Sequence, residues 1–190
     1  TTILHEALTG FNANTVTFIP NRFTQGHGLH ASGIEYLKDK GASLVITCDC
    51  GISDLAEADK AAAMKVDLIV TDHHEPPEQL PDAVAVINPK RADSKYPFRE
   101  LAGVGVAFKL AAAVGEARGI PIETMMERYG EFVALGTVAD MVPLVDENRF
   151  FANYGLAKMP KSRHLGIYSL LEVAGIGERT EMETDHISFG

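Results

Sequence analysis

The sequence predicts an α/β fold, in which a parallel sheet carries helices on both faces and is followed by a helical second half. Short apolar or β-branched runs alternate with helix-length segments in the first half, as in βαβ units. Two of these runs end in polar clusters, at Asp49 and at Asp72. The second half lacks such runs and consists of segments with helical character. We therefore expect a helical lobe packed on one end of the sheet.

Four segments are predicted to be strands. Residues 66–71 are apolar and β-branched and are followed by Glu75-Pro76-Pro77, which favours a strand buried on both faces. Residues 15–19 alternate β-branched and aromatic side chains and end at Pro20, which also predicts a strand. The other two predicted strands are residues 43–48 and 84–87.

Helix signals fill most of the remaining chain. Gly10 and Gly41 are the expected ends of the first two helices. Ser53 is the expected N-cap of the third, which carries Glu57 near its positive end. The predicted helices cover residues 2–8, 32–40, 53–65, 101–116, 122–129, 131–139, 148–159 and 165–173, with a break at 160–163.

Length and composition narrow the class of protein. A chain of 190 residues suits one domain with a sizeable core, or one domain with an appended element. No segment has the apolar length of a membrane span, and no secretory leader is visible, so we expect a cytoplasmic protein without membrane contact. The formal net charge of −9 repels polyanions unless divalent metal changes the local charge.

The cysteines and one glycine motif have structural explanations. Cys48 and Cys50 are too close for an ordinary disulfide, and we expect small buried apolar side chains rather than metal ligands. Gly103-Val104-Gly105 resembles the start of a dinucleotide-binding fingerprint, but Phe108 occupies the sixth position. Close packing of a helix explains these glycines better.

The main candidate site follows the strand at residues 66–71, where Asp72, His73 and His74 stand together. In open parallel sheets, ligands bind at the carboxyl ends of the strands, because the loops there present side chains to a crevice. Taken alone, an Asp-His pair after a strand also fits a turn or a helix cap.

Two further acids extend this candidate site. Asp49 ends the strand at residues 43–48, and Asp140 ends an apolar helix before Pro143. An inward-facing Asp140 must be paired, protonated or bound to metal, whereas an ordinary helix-end carboxylate needs none of these. Carboxylates with one imidazole, here His73, suit manganese or magnesium better than structural zinc.

A series of motifs now identifies a resemblance. The sequence is similar to the DHH phosphoesterase superfamily and, within it, to the bacterial RecJ group of single-stranded-DNA-specific exonucleases. The motifs occur in the order of that family over nearly the whole chain. They are Pro20-Asn21-Arg22-Phe23, Gly26-His27-Gly28-Leu29, Ile46-Thr47-Cys48-Asp49-Cys50-Gly51-Ile52-Ser53, Val70-Thr71-Asp72-His73-His74, Ile87-Asn88-Pro89, Gly103-Val104-Gly105-Val106-Ala107-Phe108, and Ala134-Leu135-Gly136-Thr137-Val138-Ala139-Asp140-Met141-Val142-Pro143-Leu144.

The resemblance implies a two-metal site that hydrolyses phosphodiesters with Mn²⁺ or Mg²⁺. In that family pattern, Asp49 bridges the two metals, while His73 and Asp140 each bind one. Asp72 orients or coordinates, and His74 reaches a substrate phosphate.

The resemblance also points to the loop at residues 21–30. Asn21, Arg22 and His27 are expected to contact the substrate backbone, with the guanidinium of Arg22 as a forked phosphate donor. A role in shaping the loop is the alternative for all three residues.

We expect, from the resemblance, a parent exonuclease that digests single-stranded DNA from 5′ to 3′ in repair and recombination. A phosphodiesterase for oligonucleotides or cyclic dinucleotides, or a non-catalytic single-strand-binding scaffold, are the alternatives.

The sequence also departs from the family. The aspartate-rich motif that precedes the first helix in the family is missing from this chain. We assign residues 1–160 to a DHH domain and 161–190 to the start of a connecting helix toward a DHH-associated domain. The 190-residue chain by itself is therefore expected to bind metal poorly and to have little or no nuclease activity.

Overall fold

Three short strands form one parallel sheet in a computed structural model of the chain, which describes residues 1–177 and 181–188. The strands are β1 (Leu44–Ile46), β2 (Asp67–Thr71) and β3 (Ala85–Ile87), in that order across the sheet. Val45 of β1 lies opposite Leu68, and Val70 lies opposite Val86 of β3. The predicted parallel sheet is confirmed, and three of the four predicted strands are present.

The strand predicted at residues 15–19 is wrong. This segment is irregular, and none of its residues joins a ladder with another described residue. Alternating β-branched residues favour extended backbone, but a strand also needs a neighbour to accept and donate its hydrogen bonds. A groove of about 750 Å³ separates the segment from β1, so the two do not pair.

Helices cover both faces of the sheet, as predicted. On one face, Ile34, Ala58 and Ala61 share a buried cluster with Val45 and Leu68. On the other face, Ile46 and Ile87 pack against the core of the helical half. The helices are α1 (Thr2–Gly10), α2 (Ala31–Asp39), α3 (Leu55–Ala63), α4 (Gly103–Ala117), α5 (Ile122–Ala139), α6 (Asp146–Lys158), α7 (Leu165–Val173) and α8 (Thr184–Ser188), with a 3₁₀ turn at Met159–Lys161.

The helical half differs from the prediction at Gly130. The sequence predicts one helix on each side of this glycine, but α5 runs through it without a break. A Cβ atom on Gly130 would lie 2.6 Å from the ring of Tyr154 in α6. The glycine therefore serves the close packing of two helices, and this tertiary contact outweighs its low helix propensity.

Helix ends are partly as expected. Gly41 has φ of +90° and its N–H bonds to the carbonyl of Lys38, which confirms it as the terminator of α2. Gly10 is the last residue of α1, as expected for its end, and Phe11 follows as the C-cap. Ser53 is not the N-cap of α3, because Asp54 holds that position. The carboxylate of Asp54 does not cap the helix but accepts the N–H of Leu29. Within the described residues, every helix is too short or too polar to cross a membrane.

Candidate metal centre

The carboxyl edge of the sheet brings the predicted acids and histidines together. Asp49 lies three residues after β1, and its N–H donates to the carbonyl of Thr71 at 2.9 Å. Its φ of +66° places it in the left-handed region, which is uncommon for a residue other than glycine. Asp72 and His73 follow directly from β2 at the same edge. Adjacent parallel strands thus deliver these side chains to one rim, as the sequence predicted.

His73 stands between two carboxylates. Its Nε2 atom lies 3.1 Å from Oδ1 of Asp49 and 3.3 Å from Oδ2 of Asp140. These are ion-pair distances, but neither contact is aligned as a hydrogen bond. His73 Nε2 and Asp49 Oδ1 are both buried atoms without a hydrogen-bond partner among the described residues. Two unsatisfied atoms that converge on one point are what a bound cation would satisfy.

His74 joins this group. One candidate ligand atom from each of Asp49, His73 and His74 lies within 4.8 Å of the other two. The imidazoles of His73 and His74 are 4.7 Å apart between ring centroids. We call Asp49, His73, His74 and Asp140 the carboxylate–imidazole cluster. Hard carboxylate oxygens with imidazole nitrogen suit Mn²⁺ or Mg²⁺, so the donor set fits the metal that the resemblance implies.

Asp140 occupies an electrostatically unfavourable position. It is the C-cap of α5, where the negative end of the helix dipole opposes a carboxylate. Its side chain is 33% exposed, and Met141 beyond it adopts φ of +55°. The approach to His73, and to any cation held there, offsets this unfavourable field. The contact with His73 thus distinguishes Asp140 from a carboxylate at an ordinary helix end.

Asp72 has its carboxylate fully engaged. It is 1% exposed, and Oδ2 accepts the Ile52 N–H at 3.0 Å. Oδ1 accepts the N–H groups of His73 and His74 and bonds Nδ1 of His74 at 2.7 Å. Burial alone would raise the pKa of Asp72, but these hydrogen bonds outweigh it and hold the pKa below its ordinary value. The geometry supports an orienting role, with the charge fixing the imidazole of His74.

The two neighbouring acids change the acidity of His73. Burial of His73, whose side chain is 10% exposed, lowers the pKa. The carboxylates of Asp49 and Asp140 act in the opposite direction and raise the pKa overall above its ordinary value of 6.5. A metal ion binds only the neutral imidazole, so protons compete with a metal for His73.

The loop at residues 21–30 approaches the cluster from one side, and we call it the substrate loop. The imidazole of His27 packs edge-on to that of His74, with 5.7 Å between centroids. Arg22 and His27 line the groove beside β1. The carbonyl oxygen of the Asn21 side chain accepts the N–H of Phe23 at 2.9 Å, which supports the loop-shaping role for this residue.

Sequence reasoning missed two residues around this site. Asp54 accepts the Leu29 N–H at 2.6 Å and thereby ties the end of the substrate loop to the start of α3. Gly103 contacts Asp49 so closely that a Cβ atom at position 103 would overlap Oδ1. Close packing at Gly103 was predicted, but its partner, Asp49, is far away in the sequence.

The cysteines contribute no ligand to this group. Cys48 and Cys50 are free thiols, each partly exposed rather than fully buried. Burial, together with the charges of Asp72 and Asp54, raises the pKa of Cys50 to about 12. Its thiol is therefore protonated at neutral pH and is a poor metal ligand.

Comparison with known proteins agrees with this geometry. A profile of the DHH family, N-terminal domain, matches residues 1–137. This chain belongs to the DHH family. Its DHH tripeptide is Asp72-His73-His74, the segment that follows β2.

Two curated relatives of this DHH chain share one name. The single-stranded-DNA-specific exonuclease RecJ of Bacillus subtilis is 42% identical over 184 residues, which are 95% of this chain and 22% of the relative. The protein of the same name from Escherichia coli is 40% identical over 172 residues, which are 85% of this chain and 30% of the relative. The chain thus spans between a fifth and a third of the length of these two relatives.

Solved structures show the same fold. An exonuclease RecJ bound to manganese is 32% identical, with a TM-score of 0.85 over all of this chain and 46% of that protein. RecJ from Thermus thermophilus in complex with Mn²⁺ is 31% identical, with a TM-score of 0.79 over 98% of this chain and 26% of that protein. The DHH fold of this chain is therefore that of the manganese-bound relatives.

Proposed function

We propose that this chain carries metal ligands of a manganese- or magnesium-dependent exonuclease that degrades single-stranded DNA. One observation carries the proposal: Asp49, His73 and Asp140 meet within ion-pair distance, with buried ligand atoms that lack hydrogen-bond partners among the described residues. The names of the relatives, which are single-stranded-DNA-specific exonucleases, and the manganese in two solved neighbours support the choice of metal and substrate.

We propose different roles for these residues according to their chemistry. Asp49, His73 and Asp140 would hold the metal, and the family resemblance assigns Asp49 the central position among them. A pair of ions, when bound, supplies charge neutralisation for the phosphate and lowers the pKa of a water molecule. Asp72 stays ionised through its hydrogen bonds and orients His74, as its lowered pKa supports.

Substrate contacts lie beside the metal ligands. His74 is the proposed phosphate contact, because its side chain is half-exposed while Asp72 fixes the ring. His27 packs against His74 and Arg22 lines the same groove, so both are placed for backbone phosphates. For Asn21, shaping the loop is the role that its hydrogen bonds support.

The wider setting extends this proposal. We assign residues 1–160 to the DHH domain and 161–190 to a connecting segment toward a DHH-associated domain. Digestion from 5′ to 3′, in DNA repair and recombination in the cytoplasm, follows from the resemblance to the RecJ group. The excess of acidic residues in this chain implies that other parts of the protein supply much of the positive path for DNA.

The test uses the full-length protein with Mn²⁺ and single strands that carry a label at one end. We expect nucleotides to be released from the 5′ end of long single strands, with little action on duplex DNA. Preferential hydrolysis of dinucleotides or cyclic dinucleotides would instead show a phosphodiesterase. Binding of single strands without hydrolysis would show a scaffold, and both results would contradict the proposal.

A further inference from the structure

Two buried threonines form a clamp between the carboxyl ends of β1 and β2. The hydroxyl of Thr71 donates to the carbonyl of Thr47 at 2.5 Å. In return, the hydroxyl of Thr47 accepts the N–H of Thr71 at 3.1 Å. The exposed fractions of the two residues are 5% for Thr47 and 0% for Thr71. Each hydroxyl thus bonds the main chain of the opposite strand in a water-poor environment, where such bonds are strongest.

The clamp extends into the turn that carries Asp49. The hydroxyl of Thr47 also donates to the carbonyl of Cys50 at 2.7 Å, while the Asp49 N–H donates to Thr71. Asp49 and Gly51 both have positive φ, at +66° and +108°. A Cβ atom on Gly51 would lie 2.9 Å from the Thr47 hydroxyl, which therefore fills the inside of the turn. An uncommon backbone conformation persists only where its surroundings hold it, and here the two threonines do so.

Gly103 lies against the side chain of Asp49. The first turn of α4 lies against this carboxylate, with no room for a Cβ atom at position 103. Gly103 is the first residue of α4, a helix of 15 residues, so the carboxylate also lies at the positive end of a helix dipole. The turn fixes the main chain of Asp49, and the helix bounds one side of its carboxylate, which is otherwise partly exposed.

We propose that Thr47, Thr71 and Gly103 are positioning residues, which hold Asp49 at the distance from His73 that metal binding needs. The threonines act through the main chain of the turn, and Gly103 acts through contact with the carboxylate. The effect on metal affinity rests on the proposed function. The effect on the Asp49 turn does not, and it is measured without metal.

The variants separate hydroxyl chemistry from packing. Thr47→Val and Thr71→Val keep the shape of each side chain and remove the hydroxyl, whereas Thr47→Ser and Thr71→Ser keep the hydroxyl. Thr137→Val is the matched control, because Thr137 is also fully buried and its hydroxyl has no partner among the described residues.

The first measurement is hydrogen exchange in the metal-free, full-length protein, followed by mass spectrometry of peptides that cover residues 47–51. We expect both valine variants to exchange about tenfold faster there, as loss of one or two buried hydrogen bonds implies. The serine variants and Thr137→Val should match the wild type. Wild-type exchange in both valine variants, or equal acceleration in the serine variants, would overturn the clamp.

The second measurement is Mn²⁺ affinity, from the electron paramagnetic resonance signal of free Mn²⁺. Loss of a group that orients a ligand typically weakens affinity about 10- to 100-fold, and we expect this for both valine variants and for Gly103→Ala. Gly166→Ala is the glycine control, since nothing lies within 4 Å of a Cβ atom there. Unchanged affinity in all three variants would overturn the positioning role. Absence of Mn²⁺ binding by the wild type would contradict the proposed function, while the exchange measurement would still decide the clamp.

Discussion

The carboxylate–imidazole cluster and the substrate loop lie side by side but are built differently. The cluster stands on a parallel sheet, with main-chain bonds to Asp49 and to Asp72, the residue that orients His74 of the cluster. The substrate loop is held by local bonds, such as those to Asn21, by the bond to Asp54 and by packing of His27 against His74. Phe23, within this loop, is 99% exposed.

This difference matches the two tasks that we assign to them. Metal ligands must be held in fixed relative positions before the ion arrives, because ordering them on binding would weaken the affinity. A loop that contacts the backbone of single strands must accept any sequence and many conformations. Changes at the proposed metal ligands should therefore affect metal affinity, and changes at the buried Asp72 should affect fold stability, whereas changes in the loop should affect DNA binding alone.

The largest effect is expected from Asp49→Ala in the full-length protein. This change removes the proposed central metal ligand, and hydrolysis of single-stranded DNA in Mn²⁺ should fall below detection. Asp59→Ala, on the exposed side of α3, is the control and should retain wild-type rates. Substantial hydrolysis by Asp49→Ala, measured as nucleotide release, would exclude Asp49 from the site.

Asp72→Ala should cost the most stability. This change removes a buried carboxylate that makes four hydrogen bonds. The buried donors that it leaves unpaired should lower the free energy of unfolding by about 3 kcal/mol. Denaturant unfolding at neutral pH measures this difference. Because the pKa of Asp72 is lowered in the folded state, its contribution is present above the ordinary value of 3.8. The contribution should decrease as the pH falls through the folded value. A constant difference between wild type and variant across that range would contradict the assignment.

The pH dependence of Mn²⁺ binding tests His73. Its pKa is raised above 6.5 in the metal-free protein, so protons compete with the metal below the raised value. Affinity should increase as the pH rises through that value, with release of one proton measured by calorimetry in buffers of different ionisation enthalpy. Asp140→Asn removes one carboxylate that raises the pKa and should move this increase to lower pH. An increase at the same pH in the variant would show that Asp140 does not act on His73.

The smallest effect is expected in the substrate loop. Arg22→Ala should weaken binding of single-stranded DNA and reduce the magnitude of its salt slope by about 0.7, as expected when one phosphate contact is lost. Arg22→Lys should retain most of the slope but bind less tightly, since lysine lacks the fork. Mn²⁺ affinity and the unfolding temperature should stay at wild-type values in both. A loss of metal affinity in Arg22→Ala would show that the loop and the cluster are not independent.

The sequence predicted the features that depend on local patterns. Apolar runs marked β1, β2 and β3, and the polar residues that follow β1 and β2 marked the edge where the cluster forms. Asp140 could be included because an ionisable group ended an apolar helix. The prediction of a strand at residues 15–19 was wrong. Alternating side chains show that a segment can pair, but they do not show that a neighbouring strand is available.

Long-range contacts were beyond the reach of sequence patterns. Gly103 and Asp49 are separated by more than fifty positions, and only the packing of α4 against the sheet brings them into contact. Nothing local shows that the carboxylate of Asp54 bonds Leu29, so the pattern favours the neighbouring serine as the cap. Gly130 reads as a helix break in the sequence, since its partner Tyr154 lies on another helix.

The most direct measurement is anomalous scattering, recorded at the manganese absorption edge, from crystals of the full-length protein soaked in Mn²⁺. We expect a peak within coordination distance of Asp49, His73 and Asp140. Manganese bound elsewhere on the protein, with none at these three side chains under saturating Mn²⁺, would contradict the metal site on which the proposed function depends.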